Sequence, residues 1–202
     1  SDPAAFAAEV RTLPGRGLDG SAPVAARLAI TPFLLQRTDS RAQAVLRHEV
    51  THVALALEGS GDVPTWLVEG TAEYTAYRVL RGGAVSGVTA MDRRGLPSPT
   101  WQQLRRGTWR PSLISDGALF YGGSNAEVAR AYTDSWLTCL YIAAHYGEDS
   151  LFRLYSAAAA TAPGQGPDVT EAAVLRSVLR TDRASLTRGV AGYARTLRTN
   201  FT

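Results

Sequence analysis

The sequence predicts an α+β domain that is mostly helical. An extended stretch at residues 24–35 comes first, and amphipathic helical segments follow it to the C-terminus. Helices that follow one early strand region, instead of alternating with strands, argue against a parallel βαβ fold. The length of 202 residues and the hydrophobic content of 45% suit a single domain with a sizeable core.

The first elements are an edge strand and two helices. Pro32 restricts the extended stretch to an edge or an end of a sheet, because proline cannot donate a ladder hydrogen bond. Ser40 is a suitable N-cap for a helix over residues 41–57, where apolar residues and histidines recur at three- and four-residue steps. Pro64 suits the first turn of a second helix over residues 65–80.

Loops and further helices make up the rest of the chain. Residues 82–123 are rich in Gly, Pro and Ser, which predicts loops with one short helix at 100–106. Four more helices are predicted after Ser124, a good N-cap, at residues 125–146, 149–160, 168–179 and 182–198. Cys139 is the only cysteine, so an intrachain disulfide is excluded, and its apolar neighbours predict a core position.

Charge and hydropathy argue against nucleic acid and membrane partners. The basic residues, all arginine, are scattered, and the net charge is only +3, whereas nucleic-acid-binding proteins gather such residues on one face. No apolar run reaches the length that crosses a bilayer. We therefore expect neither a nucleic acid partner nor a membrane-spanning segment in this chain.

A metal-binding pattern lies in the first predicted helix, as His48-Glu49-Val50-Thr51-His52. Positions i and i+4 share one helix face, so His48 and His52 can direct ring nitrogens at one ion. Glu49 can then reach a water molecule on that ion and take its proton as a general base. The alternative is an ordinary helix with two incidental histidines.

A catalytic zinc site needs a third protein ligand and one open position. The second predicted helix offers two carboxylates one turn apart, Glu69 and Glu73. The order of HExxH and Trp66-Leu67-Val68-Glu69-Gly70-Thr71-Ala72-Glu73-Tyr74 resembles the gluzincin metallopeptidases, most closely the compact bacterial peptidase MA-like group. More distantly, it is similar to the catalytic domains of thermolysin and aminopeptidase N.

This resemblance implies a zincin-like fold with a small N-terminal sheet or edge strand and an active-site helix pair. It implies that Glu69 is the third zinc ligand and that Glu73 orients a metal-bound histidine. Two alternatives stay open, since Glu73 could itself bind zinc or be a solvated helix charge. The resemblance covers residues 24–160, and residues 161–202 form a C-terminal helical extension of the same domain.

The resemblance also implies residues that contact the substrate. In the segment Ala131-Tyr132-Thr133-Asp134-Ser135, Tyr132 would donate a hydrogen bond to the oxyanion that forms when water attacks the carbonyl. Tyr121, on the preceding loop, is a competing donor, and Tyr132 could instead be a core aromatic. The strand before the HExxH helix would bind the substrate backbone by strand addition through Leu28, Ala29 and Ile30.

The resulting expectation is a zinc metallopeptidase acting on a peptide or protein. The Gly-Ala-Met-Glu-Asn segment of aminopeptidases is missing, which favours an endopeptidase. The start at Ser1 without Met, together with the habit of the family, predicts a processed chain located outside the cytoplasm, secreted or associated with the cell envelope. The alternatives are a zinc-binding but non-proteolytic or autoinhibited interaction module, and a helical structural domain without metal.

Overall fold

The protein is described here by a computed structural model, in which residues 10–12, 26–28, 32, 36, 40–56, 58–59, 61–78 and 98–199 are placed. These residues are mostly helical, as predicted. The elements in chain order are β1 Val10–Thr12, β2 Ala26–Leu28, α1 Ser40–Leu55, α2 Thr65–Tyr77, α3 Ser98–Arg106, α4 Gly117–Tyr121, α5 Asn125–Tyr146, α6 Glu148–Ala159, α7 Pro167–Val178 and α8 Arg183–Thr199.

The two short strands precede the helices and lie against α1. They pair antiparallel, with Val10 opposite Leu28 and Thr12 opposite Ala26. β2 falls inside the stretch predicted to be extended. Pro32 is helical, however, so the extended conformation ends sooner than the prediction of residues 24–35.

The long helix α5 begins and ends at residues with clear local roles. The Ser124 side chain accepts a hydrogen bond from the Glu127 N–H, and the Glu127 carboxylate accepts one from the Ser124 N–H, which forms a capping box. Gly147 ends the helix with a φ of 93°, a left-handed value that glycine adopts without a steric penalty. Both boundaries agree with the prediction.

The helix α2 lies at the centre of the fold, and most of its surface is buried. It packs against α1 on one side and against α5 on another. Such a helix needs apolar or small residues nearly all round, and its sequence supplies them. The main core residues come from α2 and from the helices around it: Trp66, Leu67, Trp136, Leu137, Leu140, Leu151, Leu154, Leu175 and Leu186.

Helices α2 and α5 cross at a very short distance because α2 has a glycine at the contact. A Cβ atom on Gly70 would lie 2.6 Å from Cys139 Sγ and 2.6 Å from the Ser135 carbonyl oxygen. Cys139 is fully buried there, as its apolar neighbours predicted. The backbone of α2 therefore lies directly on α5, one residue after Glu69.

The C-terminal helices close the other side of the core. Leu175 of α7 and Leu186 of α8 belong to the same hydrophobic cluster as Trp66 of α2. Among the placed residues, none of the helices combines the length and the apolar character that crossing a bilayer requires.

We expect Gly70→Ala to lower the free energy of unfolding by about 1–3 kcal/mol, because the new methyl group must push two packed helices apart. Chemical denaturation of the metal-free protein, followed by circular dichroism, measures this difference.

Gly192→Ala is the matched control, since Gly192 is also inside a helix but a Cβ atom there meets only Arg195 Nη2, at 3.7 Å. Alanine is the better helix former, so this change is expected to be neutral or to stabilise by up to about 1 kcal/mol. If Gly70→Ala and Gly192→Ala changed the free energy of unfolding equally, the close contact between α2 and α5 would be contradicted.

Candidate metal centre

Two imidazoles meet on one face of α1. His48 and His52 are one helical turn apart, and their Nε2 atoms lie 3.0 Å from each other. Their rings are close to perpendicular, at an interplanar angle of 80°. His48 is buried at 8% exposure, so its ring nitrogen faces the other site residues and little solvent.

A carboxylate from α2 completes the group. Glu69 Oε2 lies 3.3 Å from Nε2 of His48 and 3.3 Å from Nε2 of His52. In a tetrahedral zinc site with bonds of roughly 2.0–2.1 Å, neighbouring ligand atoms are about 3.3–3.4 Å apart. The three atoms therefore already have nearly the spacing of three ligands around one ion, and this group could hold a metal ion.

Glu73 lies behind His48 and outside the three-atom group. Its Oε1 atom is 3.2 Å from Nδ1 of His48, on the opposite side of the ring from Nε2. A carboxylate in this position holds the proton on Nδ1 and leaves the Nε2 lone pair free for an ion. Glu69 and Glu73 are one turn apart on the same helix, but Glu69 lies beside the Nε2 atoms of both histidines and Glu73 lies beside Nδ1 of His48 alone.

The electrostatics of the group favour a positive charge among these side chains. Burial by itself lowers the pKa of His48, but hydrogen bonds and charges from Glu69 and Glu73 outweigh it and raise the pKa to about 10. Burial by itself raises the pKa of Glu69, but hydrogen bonds from His48 and His52 hold that pKa well below its ordinary value. A cation that binds here therefore displaces a proton from His48.

Glu49 follows His48 on α1 and is half-buried. Burial raises the pKa of its carboxyl group, nearby His48 and His52 lower it, and Glu69 raises it further, with a net upward shift. A carboxylate with a raised pKa accepts a proton more readily than an exposed one. The Glu49 carboxyl group thus feels the charges of all three candidate ligands, and its pKa is raised.

Two tyrosines approach Glu69 from other elements. The Tyr121 hydroxyl donates a hydrogen bond to Glu69 Oε1, whereas Oε2 of the same carboxylate is the atom that lies 3.3 Å from both histidines. The Tyr132 ring centroid is 6.1 Å from that of His48. Burial raises the pKa of both phenols, with Glu69 as the next cause, so each hydroxyl keeps its proton at neutral pH.

The buried ring of Phe120 links these tyrosines. Its centroid lies 5.0 Å from that of Tyr121 and 5.1 Å from that of Tyr132. The assignment of Tyr121 to a loop is wrong, because this residue ends the five-residue helix α4. The signal for α4 was Asp116, whose side chain accepts hydrogen bonds from the N–H groups of Ala118 and Leu119.

The predicted substrate strand is described only in part. Leu28 ends β2, which pairs with β1 and lies against α1, the helix that carries both histidines. Ala29 and Ile30 lie outside the described residues. The structure thus brings together His48, Glu49, His52, Glu69, Glu73, Tyr121 and Tyr132, and it leaves the role of residues 28–30 a prediction.

Comparisons of the chain with protein-family models, with curated proteins and with solved structures found no match. Any function assigned to this chain therefore depends on the residues of the site and their geometry.

Replacing each carboxylate in turn distinguishes a ligand from an orienting residue. We expect Glu69→Ala to abolish stoichiometric zinc binding, because only two ligands remain. Glu73→Ala is expected to weaken zinc binding about 10- to 100-fold while stoichiometry stays at one ion, because only the orientation of His48 is lost. Competition with a chromogenic chelator measures both affinities.

Glu127→Ala serves as the control, because it removes an exposed carboxylate that binds Ser124 at the start of α5. It should leave zinc affinity unchanged. The opposite result would contradict these roles: if Glu73→Ala bound no zinc and Glu69→Ala bound it normally, Glu73 would be the ligand and Glu69 the orienting residue.

Proposed function

We propose that this protein is a gluzincin-type zinc metallopeptidase that hydrolyses peptide bonds, with a zincin-like arrangement of α1 and α2. The observation that carries the proposal is the convergence of His48 Nε2, His52 Nε2 and Glu69 Oε2 within 3.0–3.3 Å of one another, with Glu49 beside them. The HExxH pattern supplies two of these three atoms and also Glu49, and its spacing is what places both histidines on one helix face.

The chemistry of the donor atoms selects the metal. Two imidazole nitrogens and one carboxylate oxygen suit zinc, whereas magnesium and calcium prefer oxygen ligands alone. His48, His52 and Glu69 would hold the zinc ion, which would supply the Lewis acidity that lowers the pKa of a water molecule to about 7.

Glu49 is the general base in this proposal. Its carboxylate takes a proton from the attacking water and delivers it to the nitrogen of the departing amine. The partial burial that raises the pKa of Glu49 suits both steps, since the group must accept the proton and then release it. Glu73 keeps His48 in the tautomer that leaves Nε2 free.

The two tyrosines have distinct roles in the proposal. Tyr132 donates a hydrogen bond to the oxyanion of the tetrahedral intermediate, because its ring lies 6.1 Å from that of His48 and its hydroxyl group keeps its proton. Tyr121 orients Glu69, since its hydroxyl already donates to Oε1 of the carboxylate and leaves Oε2 for the ion. The substrate backbone pairs with residues 28–30, of which Leu28 ends β2, the strand that lies against the helix carrying Glu49.

The decisive test of hydrolysis uses the zinc-loaded protein and a diverse peptide library, with products identified by mass spectrometry. We expect cleavage by the wild type and a loss of turnover of several orders of magnitude in Glu49→Gln, which removes the proton acceptor and keeps its shape. Because Glu49 is not a ligand, the variant is expected to keep one zinc per chain.

Two outcomes of this test would contradict the proposal. Equal cleavage by Glu49→Gln would contradict the role of this residue as the base. A wild type that holds one zinc and cleaves no peptide would contradict the peptidase proposal and favour a zinc-binding interaction module or a covered site.

A second pair of variants separates the roles of the tyrosines. We expect Tyr132→Phe to lower kcat by about 10²–10³-fold with unchanged zinc affinity, because one hydrogen-bond donor to the oxyanion is lost. Tyr121→Phe is expected to weaken zinc binding, since Glu69 loses the partner that orients it. Steady-state kinetics and chelator competition give the two measurements.

The two substitutions serve as controls for each other, because each removes one hydroxyl group from the same aromatic cluster. A loss of kcat in Tyr121→Phe with full zinc affinity, and no such loss in Tyr132→Phe, would assign the oxyanion contact to Tyr121.

A further inference from the structure

A second buried carboxylate, outside the candidate metal centre, binds the helix that carries Glu69. Glu171 of α7 is only 2% exposed. Its Oε2 atom accepts hydrogen bonds from Trp66 Nε1 at 2.6 Å and from the Ser115 hydroxyl at 3.0 Å. Trp66 lies one helical turn before Glu69 on α2, so this bond joins the first turn of α2 to the C-terminal part of the chain.

Arg183, at the start of α8, neutralises this carboxylate. Its Nε atom donates to Glu171 Oε1 at 2.6 Å, and its Nη2 atom donates to Glu171 Oε2 at 2.7 Å. A third donor of the same guanidinium, Nη1, bonds to the Leu113 carbonyl oxygen at 2.9 Å. Both oxygens of Glu171 are thus bonded, which is the condition under which a buried charge can be accommodated.

Residues 113–115, which Glu171 and Arg183 bind through Ser115 and Leu113, also bond to the first turn of α2. The Thr65 N–H donates to the Ser115 carbonyl oxygen at 2.9 Å, and the Trp66 N–H donates to the Ile114 carbonyl oxygen at 3.1 Å. These bonds satisfy N–H groups that a helix start leaves without an intrahelical partner. They set the position of α2 against residues 114–115.

The same segment leads directly into α4. Asp116, the N-cap of α4, follows Ser115, and Tyr121 ends that helix with its hydroxyl on Glu69. Glu171 therefore contacts the junction from which both elements start. One of them supplies the ligand Glu69, and the other supplies the residue that orients it.

We propose that Glu171, fixed by Arg183, is a positioning residue for the metal centre, which it orients through Trp66 and Ser115. This inference rests on the proposed function, because it assigns a role in zinc binding. It also assigns a role to the C-terminal helices α7 and α8, which contribute none of the three candidate ligands. Hydrogen bonds to a buried charge are directional, so they define the position of α2 more closely than apolar packing does.

The chain contains a matched comparison with the same chemistry. Asp134 is fully buried on α5 and accepts hydrogen bonds from Trp109 Nε1 at 3.0 Å and from Arg130 Nε at 2.8 Å. Trp109 is buried like Trp66, at 2% and 0% exposure, but it lies in the non-helical segment between α3 and α4. Loss of the bond from the Trp109 indole to Asp134 therefore removes an interaction like that between Trp66 and Glu171. It does so at a residue outside the helices that carry the candidate ligands.

The experiment compares Trp66→Phe with Trp109→Phe in the full chain, with zinc as the probe. Each substitution removes one indole N–H from a buried carboxylate, so both should lower the melting temperature of the metal-free protein by a similar amount. We expect Trp66→Phe alone to weaken zinc binding, by on the order of tenfold. Chelator competition measures the affinity, and thermal unfolding in excess chelator measures the stability.

Unchanged zinc affinity in Trp66→Phe, or an equal loss in both variants, would overturn the positioning role and leave the Glu171 network purely structural. If Trp66→Phe does not fold, Ser115→Ala replaces it, because that change removes only the hydroxyl that donates to Glu171. It is expected to weaken zinc binding in the same direction, and full affinity in that variant would again overturn the proposal.

The wild type separates this inference from the proposed function. A wild-type chain that binds no zinc overturns both. Wild-type zinc binding and peptide cleavage, with full affinity in Trp66→Phe, overturn the positioning role alone. Zinc binding that Trp66→Phe weakens, in a protein that cleaves no peptide, supports the positioning role and contradicts the peptidase.

Discussion

The close contact between Gly70 on α2 and Ser135 on α5 is the constraint on which the rest of the site depends. Since glycine has no side chain, the backbones of the two helices approach closely enough to bring their functional residues together. Glu69 immediately precedes Gly70, and Tyr132 lies one helical turn before Ser135. One steric condition at a single position therefore sets the carboxylate and the phenol relative to each other.

Charge balance explains the arrangement of the polar groups at the centre. Three carboxylates, from Glu49, Glu69 and Glu73, surround two imidazoles, and burial makes their mutual repulsion costly. In the metal-free chain, a proton on His48 relieves part of this excess, which is why the pKa of His48 rises although burial alone would lower it. A divalent cation relieves the same excess more completely, so the features that raise this pKa also favour a metal.

Much of the fold could be predicted from the sequence because its signals are local. Ser124 and Gly147 mark the ends of α5 through cap chemistry, and the spacing of His48 and His52 places two nitrogens on one helix face. The two carboxylates Glu69 and Glu73 were predicted as a pair. Their division into a candidate ligand and a histidine partner was predicted through the resemblance alone, because it depends on how two helices pack, which no local pattern contains.

The parts that could not be predicted depend on contacts between distant segments. The short helix α4 was hidden in a stretch rich in Gly, Pro and Ser, although Asp116 is a good N-cap. The bond between Trp66 and Glu171 joins residues 105 positions apart. A glutamate in an amphipathic helix is usually a solvated charge, so nothing in the local sequence separates Glu171 from an exposed one.

The difference between packing and hydrogen bonding is the reason for proposing that a distant carboxylate positions the candidate metal centre. Apolar packing fixes how close α2 lies to its neighbours but is non-directional, whereas a hydrogen bond also holds its two partners at a defined angle. A metal site needs a defined orientation as well, because its ligand atoms must stay near fixed distances from one point. The buried bonds of Glu171 supply the direction that packing lacks, and they do so at the first turn of α2, where a small rotation would move Glu69 away from the histidines.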